Sequence, residues 1–299
     1  MKNIHIEHPE DSILNGDLSV LDWFASNGKI SAKIDGAPAV VWGTNPATGN
    51  FFVGTKSVFN KVKIKINESH EDIDRNHEGN VADILHACFD YLPRTNYIIQ
   101  GDFIGFGGEE SYTPNTITYY FPEVVRQEII VAPHTCYKAE KDLRDSFSFP
   151  LTKPLPSNTE VYFFQPWVTI DEHRDDIQDM CNFARQMSTM CEFLSDKETT
   201  QIKKQLNACI REGIEIDDIT IDALASANEI DVNVLRLWQL VKSIKEDLFC
   251  YISCNDLTEC YIEEEMCDHE GYVLINDYGT YKIVNREGFS RANFLIRRW

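Results

Sequence analysis

The chain has 299 residues, 43% of them hydrophobic and 11% aromatic, which is enough apolar surface for one large domain or two smaller ones. Its 28 basic and 48 acidic residues give a formal net charge of -20, and a field of that sign repels polyphosphates, which excludes a general nucleic-acid coat. No uninterrupted apolar run approaches the roughly 20 residues that span a bilayer, and the opening MKNIHIEHPEDS is too polar for a secretion signal. We therefore expect a cytoplasmic protein with no membrane partner.

Nine cysteines lie at irregular spacing along the chain. Without an export signal, they are interpreted as reduced thiols rather than as a disulfide framework. The segment CYISCNDLTECYIEEEMC, followed by His269, contains possible zinc ligands but no paired C-x-x-C knuckle. We favour core thiols on helices over a metal site there.

Two short helices are predicted at the start of the chain. HPEDSILNG has Pro9 near a first-turn position, acidic residues in the first turn and Gly16 as a stop. DLSVLDWFASNG has the pattern of a second short helix. Together they predict an N-terminal helical segment over residues 1–28.

A β-hairpin is predicted next, because KISAKIDGAPAVVWG and NFFVGTKSVFN have strand patterns and the turn cluster TNPATG separates them. In the first strand Lys33 stands in an apolar run, where a buried ammonium group is costly unless it is paired or neutral. Alternation on an edge strand alone would also accommodate this lysine. One face would carry Ser31, Lys33 and Asp35, and the other Ile30, Ala32 and Ile34.

The following pattern, KVKIKIN, alternates fully and predicts a strand. Its lysines Lys61, Lys63 and Lys65 fall on one face, opposite the apolar residues between them. Two interpretations remain open: the lysines protect a solvated edge strand from aggregation, or they form a track for the phosphates of RNA or DNA ends. In a chain this acidic, a nucleic-acid partner requires such a local basic patch.

Helices and strands alternate through the rest of the chain. NVADILHACFDYL has helical spacing, and strands are predicted after it at NYIIQGDFIGF, TITYYF, EIIVAPHTCY and TEVYFFQPWVTI. Amphipathic segments replace the strands from about residue 171 to 250, and strand patterns return at EGYVLIND and TYKIVN. Because the sheet is interrupted and resumed, residues 171–262 are interpreted as a helical insertion in a single domain spanning 1–299. The predicted fold class is α+β.

An ordered set of short motifs runs through these elements: Lys33-x-Asp35-Gly36, Thr55-Lys56-Ser57, Gly101-Asp102, Phe163-Phe164, Glu270-Gly271-Tyr272 and Tyr281-Lys282-Ile283. In this order the set resembles the covalent nucleotidyltransferases, which include polynucleotide ligases and messenger-RNA capping enzymes. EGYVLIN and YKIVNREGF are most similar to motifs of phage-type nick-sealing RNA ligases. The chain also resembles a poorly characterised group of large-phage proteins, which would place it in a host cytoplasm. The ligase resemblance covers most of residues 30–170 and 268–294, but not the helical insertion.

This resemblance implies a mainly antiparallel nucleotidyltransferase core and an ATP-dependent, ligase-like enzyme that uses Mg²⁺ or Mn²⁺. Lys33 would be the nucleophile that forms a covalent lysyl-AMP intermediate, a reaction open only to a neutral amine. The AMP would then pass to a nucleic-acid end, with RNA favoured. Lys282 would hold the α-phosphate, and Glu270 would organise the metal and its waters.

The resemblance also implies further nucleotide-binding residues. These are Asp35 and Gly36 beside Lys33, Lys56 near the ribose or phosphate, Asp102 on the ribose hydroxyls and the metal, and Phe163 or Phe164 stacked on the base. Ordinary roles remain open for the acidic and aromatic members of this set. Glu270 would then be a loop carboxylate, Asp102 a turn residue and the two phenylalanines sheet core.

The sequence departs from the family pattern at two positions. Pro38 stands where DNA ligases and capping enzymes usually carry a basic residue, and Val284 replaces the second lysine of the last motif. Because residues 285–299 alone follow Val284, we expect no C-terminal OB domain. These departures leave two alternatives open: adenylylation of a protein or small-molecule acceptor, or a decayed scaffold that binds a nucleotide or a partner protein.

Overall fold

The computed structural model of the chain describes residues 6–296 and divides into two compact units. The sheet unit comprises Ile34–Gln165 and Leu257–Cys267. The helical unit comprises Ile6–Lys33, Pro166–Asp256 and the described chain from Asp268 onward. Both units combine helices with antiparallel sheets, so the predicted α+β class is confirmed, whereas the division into two units was not predicted.

The main sheet of the sheet unit consists of β2 (Ala39–Thr44), β3 (Phe51–Gly54), β4 (Ile98–Phe106), β7 (Ile129–Lys138), β8 (Phe147–Pro150) and β9 (Val161–Phe163). Its described strands follow the antiparallel order β3-β2-β4-β7-β8, and β9 pairs in parallel with β7. A smaller antiparallel sheet contains β5 (Ser111–Tyr112), β6 (Thr118–Tyr120), β12 (Glu259–Ile262) and β13 (Glu265–Met266). Helices α3 (His70–Asn76) and α4 (Asn80–Tyr91) belong to the same unit, and the apolar face of α4 is buried in a cluster with Trp42 and Val53.

The helical unit is organised around one long buried helix. Its helices are α1 (Pro9–Ser12), α2 (Ser19–Ala25), α5 (Asp175–Ser188), α6 (Asp196–Glu212), α7 (Asp218–Asn228), α8 (Val232–Leu248) and α9 (Arg286–Ile296). Its described sheets are β1 (Lys29–Lys33), β14 (Gly271–Asn276) and β15 (Gly279–Ile283) in the order β1-β14-β15, and the pair β10 (Trp167–Ile170) with β11 (Ile252–Asn255). Trp238 and Val241 of α8 are fully buried in the core, which also contains Trp23 of α2.

The first predicted strand, KISAKIDGAPAVVWG, forms two strands that belong to different units. Its first part is β1, and Ile30 and Ala32 pack against the core of the helical unit, which confirms the predicted alternation. Its second part is β2, which pairs with β3 as the predicted hairpin, with Trp42 opposite Val53. The local pattern therefore predicted both strands but not their separate partners.

The strand predicted at KVKIKIN is wrong. A 3₁₀ helix over Lys56–Phe59 follows β3, and residues 61–66 form bends and irregular chain. The apolar residues of the pattern do not share a buried face, because Val62 is 91% exposed. Pairing resumes only where the backbone of Asn67 bonds to that of Val53, so the intervening lysines have no neighbouring strand.

The remaining helix predictions are largely confirmed. Helices α1 and α2 lie in the predicted segment 1–28, of which residues 1–5 lie outside the described part. Helices α5 to α8 occupy the amphipathic block but end at Leu248, and β11 and β12 occupy the last part of the predicted insertion. Within residues 6–296, each helix is too short or too polar to cross a bilayer.

Candidate functional site

Lys33 lies at the end of β1, where its backbone pairs with Gly271 of β14. The backbone N–H of Glu270 donates to the carbonyl oxygen of Lys33 at 3.0 Å, which holds the two residues side by side. Their side chains form an ion pair between Lys33 Nζ and Glu270 Oε2, with exposed fractions of 28% and 14%. The ammonium group that is costly in an apolar strand therefore has a carboxylate partner.

Gly271 allows the strands around this ion pair to approach closely. Its φ of 131° disfavours any residue with a side chain. A Cβ at this position would also lie 2.2 Å from the carbonyl oxygen of Ile283 on β15. The backbone geometry alone therefore requires the glycine of the Glu270-Gly271 motif, independently of any chemical role of Glu270.

Lys282 lies on β15, the strand beyond β14, and its backbone N–H donates to the carbonyl oxygen of Glu7 at 3.1 Å. Burial lowers the pKa of Lys282, and the charges of Lys33 and Arg286 lower it further, against the opposing effect of Glu270. Among the described residues, no carboxylate lies within 4.0 Å of its ammonium group. A shielded amine without an anionic partner is suited to hold a phosphate oxygen.

A buried ionic cluster belongs to the same unit. It contains Glu10 and Asp11 of α1, Lys245 of α8 and Arg286 of α9, each with an exposed fraction of 6% or less. Lys245 Nζ lies 2.7 Å from Glu10 Oε1, and Arg286 Nη1 lies 2.9 Å from both Glu10 Oε1 and Asp11 Oδ1. The indole N–H of Trp238 also donates to Asp11 Oδ1, at 3.0 Å.

The charges in this cluster shift the pKa values of Glu10 and Arg286. Burial acts to raise the pKa of Glu10, but Lys245 and Arg286 outweigh it and hold the pKa well below its ordinary value. Burial acts to lower the pKa of Arg286, and Asp11 and Glu10 reverse that effect and raise it. Two acids and two bases thus form a neutral, buried network that joins α1, α8 and α9.

His8 lies next to this network and has an unusual environment. Burial is the main cause of its strongly lowered pKa; Arg286, Lys282 and Lys245 lower it further, and Glu10 alone opposes them. Its Nδ1 atom is buried without a hydrogen-bond partner, 4.0 Å from Glu10 Oε1. The imidazole is therefore held neutral at physiological pH.

The acids of α1 and Lys245 were not predicted from the sequence as members of this region. Glu10 and Asp11 were interpreted as helix-starting residues, which they also are. The available signal was Lys245 itself, since it lies four residues after Val241 and seven after Trp238, on the apolar face of α8. A lysine in that position predicts a buried anion.

In the sheet unit, Asp35 has a structural role. Its carboxylate accepts from Asn115 Nδ2 at 2.7 Å, from the Thr116 backbone N–H at 2.7 Å and from that of Ile117 at 3.0 Å. Its own backbone N–H donates to the hydroxyl oxygen of Tyr119 at 2.7 Å. The aspartate of the K-x-D-G motif thus fastens the loop before β6 to the chain after β1.

Gly36 and Asp102 are neighbours in the sheet unit. A Cβ on Gly36 would lie 2.8 Å from the Cβ of Asp102 and 2.9 Å from the carbonyl oxygen of Phe103, so a side chain does not fit. The Asp102 carboxylate is partly exposed and lies 3.6 Å from His134 Nε2. The structure thus brings together two residues of the predicted nucleotide set.

The other predicted nucleotide-binding residues of the sheet unit do not form one cluster with them. Lys56 is exposed at the start of the 3₁₀ helix. Phe163 is 6% exposed and stacks on Trp42 at a centroid distance of 6.2 Å, and Phe164 is 1% exposed and packs edge to face against Tyr119. Core packing accounts for both rings, and their stacking on a base stays a prediction.

The predicted phosphate track loses its strand geometry. Lys61 and Lys63 are exposed, whereas Lys65 is half-buried and donates to the carbonyl oxygen of Asn76. The three lysines therefore do not form the regular row that a strand would give. Contact of the exposed pair with a nucleic acid stays a prediction.

Metal ligands were predicted at Glu270 and Asp102, which belong to different units. Within residues 6–296 there is no group of three or more histidine, cysteine or acidic side chains arranged to hold a metal ion. Mg²⁺ is commonly bound by one or two carboxylates together with substrate phosphates, so the single carboxylate Glu270 fits that kind of site. Of the possible zinc ligands near the C-terminus, Cys254 Sγ and His269 Nε2 lie 3.5 Å apart, and burial raises the pKa of this thiol to about 11.

The chain matches a protein family described as a family of unknown function (DUF6267), over residues 3–221 and 215–298. These ranges cover nearly the whole sequence, and the chain belongs to this family. No curated protein and no solved structure matches the chain.

Proposed function

We propose that the chain is an ATP-dependent nucleotidyltransferase in which Lys33 forms a covalent lysyl-AMP intermediate. The observation that carries this proposal is the grouping in one three-stranded sheet of Lys33 on β1, Glu270 directly before β14, and Lys282 on β15. One amine is held by a carboxylate, and the other has a lowered pKa and no anionic partner within 4.0 Å among the described residues. The ligase-like motif order in the sequence assigns these residues to the same reaction.

The proposed step requires Lys33 to lose a proton before it attacks. Glu270 is the carboxylate in contact with the ammonium group and can accept that proton. The Nζ lone pair then forms a P–N bond with the α-phosphorus, and the bond to the pyrophosphate oxygen breaks, so pyrophosphate carries away the electron pair. Lys282 would neutralise charge on the α-phosphate during this exchange.

A divalent cation, Mg²⁺ or Mn²⁺, would be held by Glu270 and the nucleotide phosphates, and it would supply further charge neutralisation when bound. The roles proposed for Asp35, Lys56 and Asp102 in nucleotide binding follow from the motif order alone. Asp35 would act indirectly, because its carboxylate is already engaged by three donors of the loop before β6.

Incubation with α-labelled ATP and Mg²⁺, followed by denaturing electrophoresis, tests the first half-reaction. Lys33→Ala removes the nucleophile. Lys33→Arg keeps the positive charge, but its guanidinium group stays protonated and cannot attack phosphorus, so both variants should lose the label. Lys29→Ala is the matched control, because Lys29 is an exposed lysine on the same strand. Equal label on the parent and on Lys33→Ala would reject the assignment.

The supporting residues are tested in the same assay. Glu270→Ala and Lys282→Ala should each reduce the labelling rate by about a hundredfold or more, the effect expected when a charge-stabilising group is lost. Circular dichroism of each variant establishes that the fold is retained. Rates near that of the parent in both variants would mean that the similarity of the later motifs is only structural.

We further propose a nucleic-acid end, with RNA favoured, as the AMP acceptor, on the basis of the motif resemblance. The acidic surface implied by a net charge of -20 supports the alternative of a protein or small-molecule acceptor. Preadenylylated chain offered nicked RNA, nicked DNA and single-stranded ends should transfer its label to RNA. Retention of the label with every nucleic acid would favour the alternative acceptor.

A further inference from the structure

A pair of histidines joins α3 and α4 in the sheet unit. The centroids of the His70 and His86 rings lie 5.0 Å apart, and the two ring planes are inclined by 19°. Their Nδ1 atoms lie 2.7 Å from each other. This contact has no part in the proposed nucleotide transfer, which is assigned to Lys33, Glu270 and Lys282 of the helical unit.

Both Nε2 atoms of the pair face carboxylates. His70 Nε2 lies 3.0 Å from Asp90 Oδ1, and His86 Nε2 lies 2.9 Å from Asp74 Oδ1. Each of these two contacts joins α3 to α4. Within each helix the aspartate lies four residues after the histidine, but it contacts the histidine of the other helix. An ionised carboxylate only accepts hydrogen bonds, so both Nε2 atoms carry a proton.

This assignment leaves the two Nδ1 atoms as lone-pair donors that face each other at 2.7 Å. Two lone pairs at that distance repel unless a positive centre lies between them. A proton or a metal ion can serve as that centre. The surrounding contacts fit a metal site, because a metal-ligating histidine almost always donates its other ring N–H to a carboxylate or a carbonyl group.

We propose that His70 and His86 bind one divalent transition-metal ion of the zinc class through their Nδ1 atoms, with Asp90 and Asp74 orienting the rings. Imidazole nitrogen suits Zn²⁺, Cu²⁺ and Ni²⁺, and Zn–N bonds are about 2.1 Å long. A tetrahedral ion needs the two nitrogens to separate to about 3.4 Å, so both rings have to turn until their Nδ1 atoms converge on the ion.

Solvent completes the coordination of this ion. The histidine side chains are 45% and 28% exposed, so water can reach the positions that the protein leaves open. The edge of the His70 ring also packs against Phe89 at a centroid distance of 5.1 Å, which restricts its orientation. Two protein ligands make an open site, unlike the closed sets of four that form structural zinc sites.

Equilibrium dialysis of the full chain against Zn²⁺ tests the proposal. Cysteine thiols also bind zinc, and the chain has nine cysteines, so the readout is the number of equivalents that a variant loses relative to the parent. His70→Ala and His86→Ala should each remove one equivalent. Asp74→Asn and Asp90→Asn should keep it but weaken binding by about 10- to 100-fold, the usual effect of losing such a partner. His173→Ala, at an exposed histidine outside the cluster, is the matched control.

A second readout separates metal binding from a change in fold. Nitrogen-15 NMR of the histidine rings should show Zn²⁺-dependent shifts at the Nδ1 atoms of His70 and His86, with both Nε2 atoms remaining protonated. Equal zinc uptake by the parent and by the double histidine-to-alanine variant would overturn the proposal. Unchanged Nδ1 signals in the parent would do the same and would identify a shared proton as the bridge.

Discussion

The buried ionic cluster of the helical unit gives a sharp test of how this unit is stabilised. Glu10→Gln keeps the size and the accepting oxygen of the side chain but removes its charge. Lys245 and Arg286, which are 1% and 3% exposed, would then share Asp11 as the acid of the cluster. Lys245 loses its ion-pair partner at 2.7 Å.

The expected loss of stability is large. Breaking a buried ion pair by removing one partner costs about 3–5 kcal/mol, because the remaining charge is left uncompensated in the interior. The amide oxygen of the introduced glutamine can still accept a hydrogen bond, so we expect the lower end of this range, about 3 kcal/mol. A loss of that size lowers the folding equilibrium constant by more than about a hundredfold.

Guanidinium unfolding followed by far-UV circular dichroism measures this loss, since the helices dominate that signal. The matched control is Asp222→Asn in the same unit, whose partner Arg236 lies 3.2 Å away with both side chains exposed. An exposed pair contributes less than about 1 kcal/mol, so this control should unfold nearly as the parent does. A loss below about 1 kcal/mol for Glu10→Gln would refute the claim that the buried charges depend on one another.

Three further predictions concern other parts of the chain. Because the pKa of His8 is lowered in the folded state, the unfolded chain binds more protons below about pH 6.5, so the free energy of unfolding should fall by up to about 1.4 kcal/mol for each unit by which the pH decreases there. In His8→Gln, unfolding midpoints between about pH 5 and 7 should depend less on pH, and an unchanged slope would contradict the burial of this ring. Asp35→Ala leaves three donors without their acceptor and should cost at least about 2 kcal/mol in chemical unfolding, so a loss under about 1 kcal/mol would exclude its clamping role. Replacement of the exposed Lys61 and Lys63 by glutamine should leave lysyl-AMP formation intact but weaken oligonucleotide binding. The slope of the logarithm of the binding constant against that of the salt concentration should fall by up to about two, whereas an unchanged slope would exclude contact with phosphates.

The secondary structure was predictable where the local pattern determined it. The alternation around Lys33 and the apolar stripe of α8 both correspond to the observed elements. KVKIKIN shows the limit of such patterns, because a strand needs a neighbour, and residues 61–66 form bends and irregular chain instead. The partner of β1 is β14, which lies more than two hundred residues later, and no local pattern specifies that choice.

The candidate site was predictable only in part. The motif order singled out Lys33, Glu270 and Lys282. In the sheet of the helical unit, Lys33 and Lys282 lie on the strands that flank β14, and Glu270 directly precedes β14. The ionic cluster was missed because its acids follow Pro9 and have the pattern of an ordinary helix start. The histidine pair was missed because each His-x-x-x-Asp spacing is common in helices, and only the packing of α3 on α4 joins the two.

The most direct test of the central claim is to locate the nucleotide on the chain. The parent protein is incubated with ATP and Mg²⁺, digested under conditions that preserve a phosphoramidate, and sequenced by tandem mass spectrometry. We expect one adenylylated peptide, with the AMP on Lys33. A modification on another lysine, such as Lys56 or Lys282, or no modified peptide under conditions where the chain is folded, would contradict it.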